Sequence, residues 1–144
     1  MAQKMQFEQK LAVYTGAFYS GVALDATTFD LIVVPAPGVS LEQAETEMDK
    51  VVADFMAEGV DPEQLKRIKM QLRAAQIYAR DDVEGIGSRY GRGLTSGLTV
   101  EDVQSWPDVL QAVTEDDIIA AAKSVLRPET SVTGWLMRAE EKTQ

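Results

Sequence analysis

The sequence contains no histidine and no cysteine. Without them the chain cannot form a Ser-His-Asp or Cys-His nucleophile, a histidine general base, or nearly any common zinc site. Disulfide bonds are excluded as well, so cysteine usage does not indicate the redox compartment. An all-carboxylate Ca²⁺ or Mg²⁺ site is still permitted, but no segment has the ligand spacing of a calcium-binding loop. We therefore expect this chain to supply no catalytic residue and no metal site.

Long apolar runs are also absent, and none approaches the roughly 20 residues that a membrane-spanning helix needs. Basic residues are few: 14 Lys and Arg stand against 23 Asp and Glu, which gives a formal net charge of −9. Such a chain lacks the basic face that binding to nucleic-acid phosphates requires. We expect a soluble protein, periplasmic or cytoplasmic, with no membrane segment and no nucleic-acid partner.

The chain opens with two strand-like runs, residues 10–20 and 28–35, which are rich in aromatic and β-branched residues. Turn-forming residues lie between them and favour an antiparallel pair. A third strand is predicted for residues 131–137.

Helix starts with a shared local pattern occupy the region between these strands. In each, a small polar residue at the cap is followed three residues later by a side-chain acceptor. The pairs are Ser40 with Gln43, Asp61 with Gln64, Thr99 with Asp102, and Thr114 with Asp117.

This order of elements predicts an α/β (α+β) fold, a two-layer domain in which helices cover one face of a mostly antiparallel sheet. We assign residues 10–137 to a single domain. Residues 1–9 are expected to be disordered or derived from cloning, and residues 138–144 to form a polar tail.

A glycine-rich segment, residues 85–93, contains Arg89 and Arg92. Its G-x-G-x-x-x-G spacing does not follow a predicted strand, as a phosphate-binding loop would. A helix whose glycines let a neighbouring backbone approach closely is favoured instead. Arg89 and Arg92, with Arg80 nearby, remain a candidate cluster for bidentate binding of a carboxylate.

Several motifs together resemble the second domain of the pitrilysin/insulinase-like zinc metallopeptidases. They are Lys-Leu-Ala-Val-Tyr at 10–14, Pro-Ala-Pro-Gly at 35–38, and Gly-Val-Asp-Pro-Glu-Gln-Leu-Lys-Arg-Ile-Lys at 59–69. Val-Thr-Glu-Asp-Asp-Ile at 113–118 and Leu-Arg-Pro at 126–128 match the run before that domain's closing strand. The resemblance extends from about residue 10 to residue 137.

The resemblance implies a role for the chain. In this family zinc is held in the first domain by His-x-x-Glu-His and a distal glutamate, which a chain without histidine cannot supply. The chain would be the non-catalytic C-terminal domain of a zinc-dependent peptidase, shaping the substrate chamber and the inter-domain interface. Its implied partners are the zinc-bearing domain of the same polypeptide, a second subunit or a self-dimer, and a peptide substrate. The alternative is a freestanding interaction module, similar to inactive paralogues of the family.

Some relatives carry an arginine and a tyrosine seven residues apart that contact substrate. Tyr19 occupies the tyrosine position and Ala12 the arginine position. Tyr19 is therefore a candidate substrate-binding residue, with a packed strand aromatic as the alternative. If a neighbouring domain covers part of this chain, we expect Tyr14, Phe18, Tyr19 and Trp106 to be exposed for that contact.

Overall fold

Aromatic and β-branched residues favour extended conformation in two segments near the start of the described chain. The structure, a computed structural model, describes residues 1–137. In it β1 (Ala12–Tyr19) and β2 (Phe29–Pro35) pair antiparallel, with Thr15 opposite Val33. The predicted strand pair is confirmed.

Helices make up most of the remaining described residues. A short π-helix (Gln3–Glu8) precedes β1, and a 3₁₀ turn (Pro128–Thr130) follows the last α-helix. The α-helices of residues 1–137 are α1 (Leu41–Glu58), α2 (Pro62–Tyr78), α3 (Val83–Thr95), α4 (Val100–Ala112) and α5 (Glu115–Val125). Helix α1 packs on β2, and α4 packs on both α2 and α3. The predicted mixed fold with an antiparallel sheet is confirmed, and none of the helices described is long and apolar enough to cross a bilayer.

Each predicted helix start is capped by the expected residue. The Ser40 hydroxyl accepts a hydrogen bond from the Gln43 amide at 3.1 Å. Thr99 and Thr114 form complete capping boxes with the aspartates three residues later. Because a cap involves groups only two or three residues apart, the local sequence is sufficient to place it.

Two caps differ from the predicted pattern. Asp61 accepts from the amide of Glu63, at 2.9 Å, rather than from that of Gln64. Helix α3 begins at a cap that sequence analysis did not identify, where Asp82 accepts from the amide of Gly85 at 2.9 Å. Asp82 is a favourable cap residue. The pattern used for the other helices is incomplete here, because the third helical residue, Gly85, has no side-chain acceptor.

Glycine in α3 permits a close helix crossing, as predicted. A Cβ placed on Gly93 would lie 2.6 Å from the Val103 side chain of α4. The glycine-rich segment is therefore helical, and α4 packs directly against its backbone.

The principal core cluster lies near the start of the chain. Met5, Ala12 and Val51 are buried together, and Met48 and Val33 pack against them. Met5 is completely buried and lies in the helix Gln3–Glu8, whereas the sequence predicts a disordered or extraneous segment at residues 1–9; that domain boundary stays a prediction. The apolar side chain of Met5 fills the space between the sheet and α1, a contact that local polarity could not reveal.

The strand predicted for residues 131–137 is not formed, and these residues have no regular secondary structure. A strand needs a neighbouring strand edge for its backbone hydrogen bonds. This segment is instead tied to a helix, since the Trp135 indole Nε1 donates to the Glu45 carboxylate of α1 at 2.9 Å. The expected polar tail lies outside the described residues.

Candidate interaction surface

The face of the sheet opposite to α1 carries two of the aromatic residues that the sequence predicts to be exposed, Tyr14 and Phe18. Because side chains alternate along a strand, Val33 points toward the core and the flanking Ile32 and Val34 point away from it. Tyr14 and Phe18 share that outer face. We call these four side chains the open sheet face, and their exposed fractions lie between 43% and 47%.

Gly16 lies at the centre of the open sheet face. A Cβ on this residue would lie 2.7 Å from the Phe18 ring and 2.8 Å from the Tyr14 hydroxyl. The two aromatic side chains therefore close over the glycine from both sides. The result is a broad apolar surface without charged side chains at its centre, as an interface core has.

Tyr19 lies at the end of β1, on the face opposite to the open sheet face. Its ring centroid is 6.4 Å from that of its cross-strand partner Phe29, with the planes tilted by 35°. Such an aromatic pair stabilises the end of the strand pair. Because Tyr19 is still 63% exposed, its ring is available for contact with another molecule. Its substrate-binding role remains a prediction.

Arg89 and Arg92 are exposed on α3 and lie three residues apart, on one side of the helix. The Arg92 side-chain Nε donates to the Ser88 carbonyl oxygen of the preceding turn at 3.4 Å. Among residues 1–137 no acidic group lies within ion-pair distance of either guanidinium. Carboxylate binding by this pair also remains a prediction.

Ion pairs join the short π-helix (Gln3–Glu8) to α1. The Lys4 ammonium lies 3.0 Å from the Asp54 carboxylate and 3.5 Å from that of Glu58. The hydrogen bond to Asp54 is the main cause that raises the pKa of Lys4. These contacts fix the segment that carries Met5.

Two capping-box aspartates, Asp102 and Asp117, also have a shifted pKa. The Thr99 hydroxyl and amide donate to Asp102, and this lowers the pKa of the Asp102 carboxyl. The same arrangement between Thr114 and Asp117 lowers the pKa of Asp117. Both shifts come from helix capping, so neither marks a catalytic acid. In the described part of the chain no three acidic side chains converge into a metal-binding group.

Comparison with known proteins shows that this fold is similar to part of a protease structure. No family model and no curated protein matches the sequence. The structure is similar to a solved structure described as a protease from Helicobacter pylori, with a TM-score of 0.78. The two share 13% sequence identity, and the match covers 87% of this chain but 30% of the protease chain. The likeness shows a shared fold, and this chain spans less than a third of the length of that protein.

Proposed function

We propose that this chain is a non-catalytic domain of a zinc-dependent peptidase, where it shapes the substrate chamber and packs against the zinc-bearing domain. The observation that carries the proposal is an excess of exposed surface. A compact monomer of 15.8 kDa is expected to expose about 7,300 Å². The chain exposes 11379 Å².

The surplus of exposed area is about 4,000 Å². The seven residues that follow residue 137 do not explain it. Even fully extended, seven residues contribute about 1,100 Å². The remaining surplus of roughly 3,000 Å² exceeds the ~800 Å² per partner of a standard interface. Such an excess is typical of a domain whose partner surface is missing.

The fold shared with part of a protease, together with the family resemblance of the sequence, supports the peptidase assignment. Zinc would be held elsewhere, because this chain has no histidine or cysteine and its carboxylates suit hard cations such as Mg²⁺ or Ca²⁺ better. When bound in its own domain, zinc supplies the activated water of peptide hydrolysis. Tyr19, exposed at the last position of β1, is our candidate for contact with the peptide.

Self-association of the purified chain tests whether the open sheet face is an interface. We expect light scattering to show a dimer and an apolar dye to bind, because uncovered apolar surface is hidden most simply by a two-fold contact. The variant Tyr14→Ser/Phe18→Ser should shift the chain toward monomer. The matched control Phe7→Ser/Tyr78→Ser removes the same two ring types from exposed positions outside the strands and should leave the dimer intact.

A monodisperse monomer without dye binding would contradict the proposal that a partner domain normally covers this surface, and would favour the freestanding interaction module.

The peptidase assignment has its own tests. We expect no tight zinc binding by calorimetry and no hydrolysis of unstructured peptides by this chain. Sub-micromolar stoichiometric zinc binding would refute the non-catalytic role, and a His-x-x-Glu-His motif upstream in the parent reading frame would support the peptidase.

A further inference from the structure

A cleft of about 460 Å³ lies along α2, where this helix meets α4. Its apolar lining comes from Pro62, Leu65 and Met70 of α2. Lys66, Lys69 and Arg73 add three cationic side chains, and Gln111 of α4 completes the lining. We call this the α2 cleft. It lies in the helical layer, and its role does not depend on the proposed peptidase function.

Reciprocal hydrogen bonds join the two helices at the cleft. The Lys69 ammonium donates to the Gln111 carbonyl oxygen at 2.8 Å, and the Gln111 side-chain Nε2 donates to the Lys69 carbonyl oxygen at 3.1 Å. The Lys69 ammonium is therefore hydrogen-bonded within the protein, where it holds α2 against α4. Lys66 and Arg73 lie on either side of it and are both exposed.

The charge of the α2 cleft is opposite to that of the whole chain. The chain has a net charge of −9, yet no acidic residue lines this cleft. Within residues 1–137 neither Lys66 nor Arg73 forms an ion pair with an acidic side chain. Two cations thus flank an apolar surface with their charges uncompensated, an arrangement complementary to carboxylates beside an apolar side chain.

Acidic residues limit the length of this positive surface. A second depression shares Leu65 and Lys69 with the cleft but is lined by Glu115 and Asp116 of α5. Lys66 and Arg73 are seven residues apart, which corresponds to about 10 Å along a helix. That distance matches three to four residues of an extended peptide.

From this geometry we infer that the α2 cleft binds a short acidic segment of another protein. Carboxylates of the segment pair with Lys66 and Arg73, and an apolar side chain between them packs on Leu65 and Met70. A protein segment is favoured over nucleic acid, because a continuous polyanion would be repelled by the acidic remainder of the chain.

Fluorescence anisotropy with a labelled peptide, Gly-Glu-Glu-Leu-Glu-Glu-Gly, tests the inference. Saturable binding is expected, and Lys66→Gln/Arg73→Gln should weaken it about fivefold or more, since two exposed ion pairs are lost. Lys50→Gln/Arg127→Gln removes the same residue types and the same charge at exposed positions outside the cleft. This control should change the affinity less than twofold.

A charge-reversal experiment separates direct contact from general electrostatics. Lys66→Glu/Arg73→Glu should lose the acidic peptide and gain binding to the counterpart Gly-Lys-Lys-Leu-Lys-Lys-Gly, whereas Lys50→Glu/Arg127→Glu should not match that gain. Because Lys66 and Arg73 are exposed, these variants should fold, and circular dichroism verifies this. No saturation with about 1 mM protein, equal weakening by the control pair, or tighter binding of a ten-residue oligothymidine than of the acidic peptide would overturn the inference.

Discussion

Replacing Met5 by alanine tests whether the first helical turn is an integral part of the fold. Met5 is the one fully buried large side chain in the described chain, and it packs with Ala12 and Val51. Burying a methionine contributes about 1.5–3 kcal/mol by removal of apolar surface from water. Met→Ala substitutions in cores cost about 2–5 kcal/mol, depending on how far the surroundings collapse.

The surroundings of Met5 decide where in this range the effect falls. The cluster is small, and the side chains that pack against it are only partly buried, so they can relax into part of the space. We therefore expect Met5→Ala to lower the free energy of unfolding by about 2–3 kcal/mol. With an m-value of about 2 kcal/mol/M, the urea midpoint falls by about 1–1.5 M.

Urea denaturation followed by circular dichroism measures this shift. Met70→Ala is the matched control, because Met70 is also helical but 65% exposed. It should change the free energy of unfolding by less than about 0.5 kcal/mol. If the two variants have the same midpoint, Met5 is not buried in solution and residues 1–9 are external to the domain after all.

Other expected effects concern helices and caps. Gly93→Ala should destabilise the domain by about 1–3 kcal/mol, because its methyl would overlap α4. Gly91→Ala, with open space around an added Cβ, should instead stabilise it by up to about 1 kcal/mol, as measured by the same urea denaturation. Asp61→Ala should lower the free energy of unfolding by about 1 kcal/mol through loss of the α2 cap, and an unchanged urea midpoint would show that α2 does not depend on this cap. The lowered pKa values of Asp102 and Asp117 mean that their stabilising contribution is complete above their unfolded pKa, near 4, and is lost as the pH falls through the lower folded values. Melting temperatures measured from pH 7 to pH 3 should therefore fall more steeply at the acid end for wild type than for Asp102→Asn/Asp117→Asn; parallel curves would count against these carboxylates.

Local sequence determined the helix starts of this protein. The Ser40, Thr99 and Thr114 caps each join groups within three residues, so no distant contact is needed to form them. The antiparallel pairing of the first two strands was likewise predictable, because β-forming runs with a turn between them have a nearby partner.

Tertiary structure decided which of these elements pair and which side chains are covered. Residues 131–137 have the composition of a strand but pair with neither β1 nor β2. Their Trp135 indole is instead hydrogen-bonded to Glu45 of α1, a contact between residues far apart in sequence. Met5 is the one fully buried large side chain among residues 1–137 although it lies in a polar segment, since burial depends on which elements pack against it.

The candidate sites divide in the same way. The sequence alone shows which reactive residue types the chain has. Because histidine and cysteine are absent, it excludes catalysis by either residue. The open sheet face depended on the register that puts Tyr14 and Phe18 on one side, and the α2 cleft depended on Lys69 meeting Gln111, 42 residues further along the chain. Contacts over such a sequence distance arise from packing of whole helices, and residue spacing within one helix does not encode them.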